Sequence, residues 1–99
     1  MELNDCRARL DRIDGEILAL FVERMEYVAE IAAWKREHGM PVLDRERERE
    51  KLDALKAQTP EALKEYSAAL FSEIMELSRA YQDRLLQPDA QGTDVKLSR

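Results

Sequence analysis

Cysteine, histidine and tryptophan occur once each in the 99 residues, and glycine and proline only three times each. Each scarcity removes a class of structure. A lone cysteine, Cys6, leaves no intrachain disulfide and no cysteine metal cluster. A lone histidine, His38, has no second His or Cys nearby, so a metal centre has no support and the residue reads as an exposed imidazole at a helix end. No apolar run approaches the ~20 residues that a membrane helix needs. The opening Met1-Glu2-Leu3-Asn4-Asp5 does not read as a signal peptide, so we expect a cytoplasmic protein. Positive charge is not in excess either. Sixteen Lys and Arg stand against 21 Asp and Glu, a net charge of −5, which argues against nonspecific binding to nucleic acid or to an anionic membrane.

What is present is a chain 44% hydrophobic and 37% charged, the balance of a helical protein with a heavily solvated outside. Its length makes one domain, expected over residues 1–88, and a domain this small buries a limited core alone, which favours an oligomer.

The chain is organised around one long predicted helix, from Leu3 to His38. With Leu3 as heptad position a, the a positions are Leu3, Leu10, Ile17, Arg24 and Ile31. The d positions are Cys6, Ile13, Leu20, Tyr27 and Trp34. All but Arg24 suit an apolar seam, and Cys6 reads there as a small buried hydrophobe. Gly15 is the one weak point, at about 1 kcal/mol relative to Ala. Asn4 or Asp5 is the expected N-cap, and Gly39 followed by Pro41 is the stop signal. Such a helix reaches roughly 54 Å, whereas a compact chain of this length is only about 30–35 Å across. The rod outruns its own protomer, and the simplest cover for its stripe is a second copy.

A connector, His38 to Leu43, leads to a second predicted helix from Asp44 to Gln58, with Leu52 and Leu55 facing inward. It opens with the sign-alternating run Asp44-Arg45-Glu46-Arg47-Glu48-Arg49-Glu50-Lys51. Every i,i+4 pair in it is like-charged and every i,i+3 pair opposite, effects that partly cancel. The run reads either as a solvated face or as a device that puts Asp44 and Glu48 together, with Arg47 beside Asp44. Thr59-Pro60 signals a third helix, Thr as N-cap and Pro at the first helical position, running to Gln87 and stopping at Pro88. Its apolar stripe is Leu63, Tyr66, Leu70, Ile74, Leu77, Tyr81 and Leu85. Ser78 and Gln82 lie one turn apart on the flank, beside Phe71 and Met75, as boundary residues or as part of a site. The polar, aperiodic tail, residues 89–99, is expected to be disordered.

Helix geometry decides which charges can cooperate. Arg24 and Lys35 fall within roughly 20° of each other and about 16 Å apart along the axis, so both can reach a ligand the size of a sugar. Arg7 lies about 25 Å before Arg24 on the same rod and cannot join them on a small ligand within one chain. Arg24 in the seam either snorkels, pairs with a Glu, or is completed by a dianionic ligand.

The ordered set Arg7-x6-Asp14, Glu23-Arg24, Lys35, Pro41-Val42-x-Asp44-x2-Arg47-Glu48-Arg49 and Ser78-x3-Gln82 resembles the all-helical chorismate mutase family, over Arg7 to Gln82. No single piece is specific; the ordered spacing is. The resemblance implies an all-α fold: a three-helix protomer, long, short and long, interlocked with a second copy into a homodimer with two active sites. It also implies conversion of chorismate to prephenate, on the route to phenylalanine and tyrosine, without cofactor or metal. By matching position, Arg7 from the partner chain and Arg24 would bind the two carboxylates. Lys35 and Gln82 would contact the ether oxygen of the breaking bond. Asp44 and Glu48, with Arg47 beside them, would lie near the ring hydroxyl, and Ser78 near a carboxylate. Ile31 and Met75 would be apolar walls.

That reaction is an intramolecular rearrangement. It gains from holding the reactive conformer and from favouring charge that develops on the ether oxygen. Two other enzymatic readings use a similar pocket: isochorismate pyruvate lyase, and a mutase for amino-substituted chorismate. A noncatalytic helical dimer would explain the heptad stripe but not Arg24 within it.

Overall fold

The computed structural model describes residues 1–87. The expected stop at Pro88 and the expected disordered tail lie outside the described residues. Those described are all-helical: α1 over Leu3–Glu37, α2 over Arg45–Ala57, a 3-10 turn over Glu61–Leu63, and α3 over Lys64–Leu86. None of these helices is long and apolar enough to cross a membrane.

The two ends of α1 differ. Its N-cap position is Glu2, whose side chain makes no capping hydrogen bond. Asn4 and Asp5, the expected caps, sit inside the first turn, where Asp5 still favours the positive end of the helix dipole. The C-terminal end is tightly closed. Gly39 adopts φ 65°, a left-handed conformation open to glycine without penalty. The Gly39 N–H then donates to the Arg36 carbonyl at 3.3 Å and the Met40 N–H to the Lys35 carbonyl at 2.8 Å, the paired bonds of a Schellman motif. His38 stacks on Trp34, ring centroids 3.8 Å apart, and its Nδ1 lies 2.8 Å from the Trp34 carbonyl.

Asp44 caps α2, its side chain accepting from the Arg47 N–H at 3.0 Å. Thr59 does not cap the third helix. Its hydroxyl donates to the Leu55 carbonyl at 2.7 Å and lies 3.0 Å from Ser67 Oγ, so it serves an orphan carbonyl at the end of α2. Pro60 introduces the 3-10 turn rather than the helix, and α3 begins four residues later than the Thr-Pro signal implies.

α3 lies between the other two helices and packs on both, while α1 and α2 do not pack on each other. Buried apolar residues are few: Val28, Ala32 and Met75. With half-buried Phe21 and Met25, the face of α1 that meets α3 reads 21, 25, 28, 32, offset from the heptad seam. The seam itself is bare. Its large apolar residues from Leu3 to Trp34 are 41–64% exposed, and Cys6, expected to be buried, is exposed as well. The α3 stripe is corrected in part: Leu63, Tyr66, Leu70 and Leu77 face outward, while Ile74, Tyr81 and Leu85 are half-buried. The residues read as flank, Met75, Ser78 and Gln82, are the buried ones, each 6% exposed. The fold therefore uses one face of each long helix internally and leaves the richer apolar face uncovered.

The Cα extents of 52 × 36 × 15 Å describe a slab whose long edge is α1. The radius of gyration is 16.9 Å, against about 13 Å for a compact chain of this size. Every residue through Leu20 is exposed, so the first half of α1 projects past the other helices.

The closure at Gly39 gives a direct test. Nothing lies within 4 Å of a Cβ placed there, so Gly39→Ala would suffer from backbone conformation alone. We expect a loss of about 1–2 kcal/mol, read by urea unfolding at fixed protein concentration.

Candidate active site

A cleft of about 320 Å³ opens where the C-terminal half of α1, the connector, the start of α2 and the end of α3 meet. That volume suits a small molecule. Each wall has a local cause. The 35-residue α1 carries Arg24, Val28, Ile31 and Lys35 into the cleft at helical spacing. The Schellman turn folds the chain back so that Val42 faces Lys35. The Asp44 cap fixes the first turn of α2, which brings Arg47, Glu48 and Lys51 to the rim. α3 supplies Met75, Ser78, Arg79 and Gln82.

Of the eight residues singled out in the sequence, the cleft brings together seven: Arg24, Lys35, Asp44, Arg47, Glu48, Ser78 and Gln82. Arg7 is not among them. It is exposed on the projecting half of α1, about 25 Å of helix away from Arg24. The expected apolar walls, Ile31 and Met75, both line the cleft.

The polar groups divide into those held by the protein and those left open. Arg24 Nη1 donates to Ser78 Oγ at 2.5 Å, and Ser78 in turn donates to the Ile74 carbonyl at 2.8 Å. Buried Ser78 thus acts as a rest that aims the guanidinium. Arg24 pairs with no Glu among the described residues, which removes one bland explanation for a charge in the seam. Lys35 Nζ donates to the Val42 carbonyl at 2.7 Å. An ammonium has three donors, and this bond fixes the side chain while leaving the others for the cleft. Lys35 likewise has no carboxylate partner among the described residues.

Gln82 stands apart. It is buried, and its Oε1 has no hydrogen-bond partner. Buried side-chain amides are nearly always satisfied, because a lost bond costs roughly 1–3 kcal/mol. The unpartnered atom is the amide oxygen, an acceptor in the lining of the cleft that a donor from outside the protein could satisfy.

Both carboxylates are engaged. Asp44 is the helix cap. Glu48 accepts from Arg79 Nη1 through both oxygens, at 2.5 and 2.6 Å. Glu48 of the sign-alternating run thus pairs across to α3 rather than within its own helix.

Sequence reasoning gave no role to Arg79, Lys51, Val28 or Val42. Two signals were available. Arg79 follows Ser78, so it points about 100° around α3, toward α2 if Ser78 faces α1. Lys51 lies one turn after Arg47, so the alternation places two cations on the same face as it places Asp44 and Glu48.

The cleft is thus an anion receptor with an apolar floor, having five cations and two occupied carboxylates along its lining. Comparison with known proteins agrees with that chemistry. The model of the family described as chorismate mutase type II matches residues 6–83, which cover α2 and nearly all of α1 and α3. The T-protein of Haemophilus influenzae is 35% identical over 60 residues, 61% of this chain and 16% of that protein. The chain thus spans about a sixth of the length of the curated relative it matches. No solved structure matches it. With a family match over most of its length, the chain belongs to the chorismate mutase type II family.

Proposed function

We propose that the cleft binds chorismate and rearranges it to prephenate, supplying the route to phenylalanine and tyrosine. One observation carries the reading: a cleft in which Arg24 and Lys35 are held by neutral oxygens and have no carboxylate partner among the described residues. A dianion satisfies the two cations, and an ether oxygen can accept from the Gln82 Nε2–H, while Oε1, an acceptor, calls for a donor such as a hydroxyl. Arg24, braced by Ser78, takes one carboxylate; guanidinium forks fit carboxylates in plane. Lys35, braced by the Val42 carbonyl, and the Gln82 amide donate to the ether oxygen. Charge grows on that oxygen as its bond to carbon breaks, so both donors bind the transition state better than the ground state. Ile31, Val28 and Met75 hold the apolar faces of the reactant in its compact conformer. The ring hydroxyl is placed near Glu48 and the first turn of α2. Purified protein given chorismate should produce prephenate; turnover of isochorismate alone would instead favour the lyase.

For the second carboxylate the candidate is Arg7 from a second copy. The bare heptad seam supports an intertwined homodimer, since about 25 cal/mol are available per Å2 of apolar surface removed from water. Pairing the seams antiparallel would carry the Arg7 end of one α1 toward the Arg24 region of the other. Three outcomes follow.

Assembly and folding should be coupled, so the thermal midpoint should rise with protein concentration. A folded monomer in sedimentation at working concentration would sink the interlocked dimer.

Lys35→Ala should keep the helical circular-dichroism signal and lose most activity, about 100- to 1000-fold in rate for a lost donor at a developing oxyanion. Gln82→Ala should act the same way but less strongly. Near-normal turnover by Lys35→Ala would overturn the assignment of the ether-oxygen contacts.

Arg7→Ala and Arg24→Ala homodimers should each be nearly inactive. Unfolded together and refolded, they should form about half hybrid dimers, in which one site collects both defects and the other neither, and recover roughly a quarter of wild-type activity. If Arg7 served its own chain, mixing would restore nothing.

A further inference from the structure

We propose that Arg79 is a positioning residue whose task is to keep the negative charge of Glu48 from repelling an anionic substrate. The inference rests on the mutase reading above, because it takes the ligand to be a dianion. It starts from an electrostatic conflict. A cleft built from Arg24, Lys35, Arg47 and Lys51 to receive negative charge also contains Glu48 in its lining. A carboxylate there opposes binding of another carboxylate unless something offsets it.

The structure contains the offset. Arg79 Nη1 is within 2.6 Å of both Glu48 oxygens, and both side chains are about three-quarters shielded, at 28% and 26% exposure. Partial burial weakens solvent screening, so the pair is coupled more strongly than a surface ion pair. The pair also crosses between helices: Arg79 is on α3 and Glu48 on α2, 31 residues apart. Arg79 therefore does two things at once. It cancels the charge of Glu48 as seen from the cleft, and it fixes where the carboxylate sits at the end facing the ring hydroxyl.

The charges of α2 itself leave Glu48 to a partner on another helix. The neighbours of Glu48 one turn away, Asp44 and Leu52, offer no cation, and Asp44 adds a like charge to the same face. Arg45 and Lys51, at i,i+3 spacing, are close enough to pair with Glu48, yet neither does; its ion pair is with Arg79.

The test separates this role from direct substrate contact and from simple stability. In Arg79→Met, KM for chorismate should rise about tenfold or more, while kcat changes by less than about threefold, the pattern for lost binding rather than lost transition-state stabilisation. Arg79→Lys, which keeps the charge, should hold KM within about threefold of wild type. The deciding measurement is the cycle with Glu48→Gln. That variant has its own lowered activity, but it carries no charge for Arg79 to offset, so adding Arg79→Met to it should leave KM unchanged within about twofold. An equal rise in KM in both backgrounds would mean that Arg79 touches substrate itself, and an unchanged KM in Arg79→Met alone would mean that it offsets nothing; either overturns the proposal. An inactive wild type in the same assay would refute the mutase reading, and this inference with it.

Discussion

The stiffness of α1 is the constraint on which the rest of the structure depends. A 35-residue α-helix cannot bend back on itself, and only its C-terminal half has α3 to lie against. The first half is committed to water or to another molecule. The same rigidity sets the distances along the rod, so Arg24 and Lys35 line one cleft while Arg7 is held away from them. Placement of the cations and incompleteness of the protomer are one property, viewed at two ends of one helix.

The cleft is small in its means. Its two best-placed cations are each aimed by a single oxygen, Ser78 Oγ for Arg24 and the Val42 carbonyl for Lys35. Neutral oxygens orient a cation without neutralising it, which preserves the charge for an incoming anion. The carboxylates are treated in the opposite way: Asp44 is spent on a helix cap and Glu48 on Arg79. The lining therefore stays net positive although the chain as a whole carries a net charge of −5. Local arrangement rather than overall charge decides what this protein can bind.

Much of this was legible in the sequence because α1 is long and periodic. Period and rise alone put Arg24 and Lys35 on one face and Arg7 out of reach, and Gly39 marked the turn correctly because few residues other than glycine accept its backbone angle. The reading failed where two partners compete for one group. Thr59 could cap the helix ahead or close the helix behind, and the hydroxyl went to Leu55. It failed again where periodicity reports hydrophobicity without saying what covers it. The strongest stripes on α1 and α3 are the outward ones, and the weaker faces make the protomer's own core. The Glu48–Arg79 pair was invisible to spacing rules because it joins two helices whose relative placement no local pattern encodes.

Ser78 and Arg79 are consecutive, yet one steadies a side chain of α1 and the other a side chain of α2. Both walls of the cleft thus take their alignment from a single rotational phase of α3. Side chains along that helix can vary in size and polarity on its outer faces without disturbing either wall. A change in residue number is different. One residue inserted between Lys64 and Ser78 turns both braces by about 100° and slides them about 1.5 Å along the axis. Arg24 and Glu48 would lose their supports together, although neither helix that carries them had been touched. The variation this domain tolerates is therefore in the identity of residues along α3, while the length of the helix ahead of the site is held fixed.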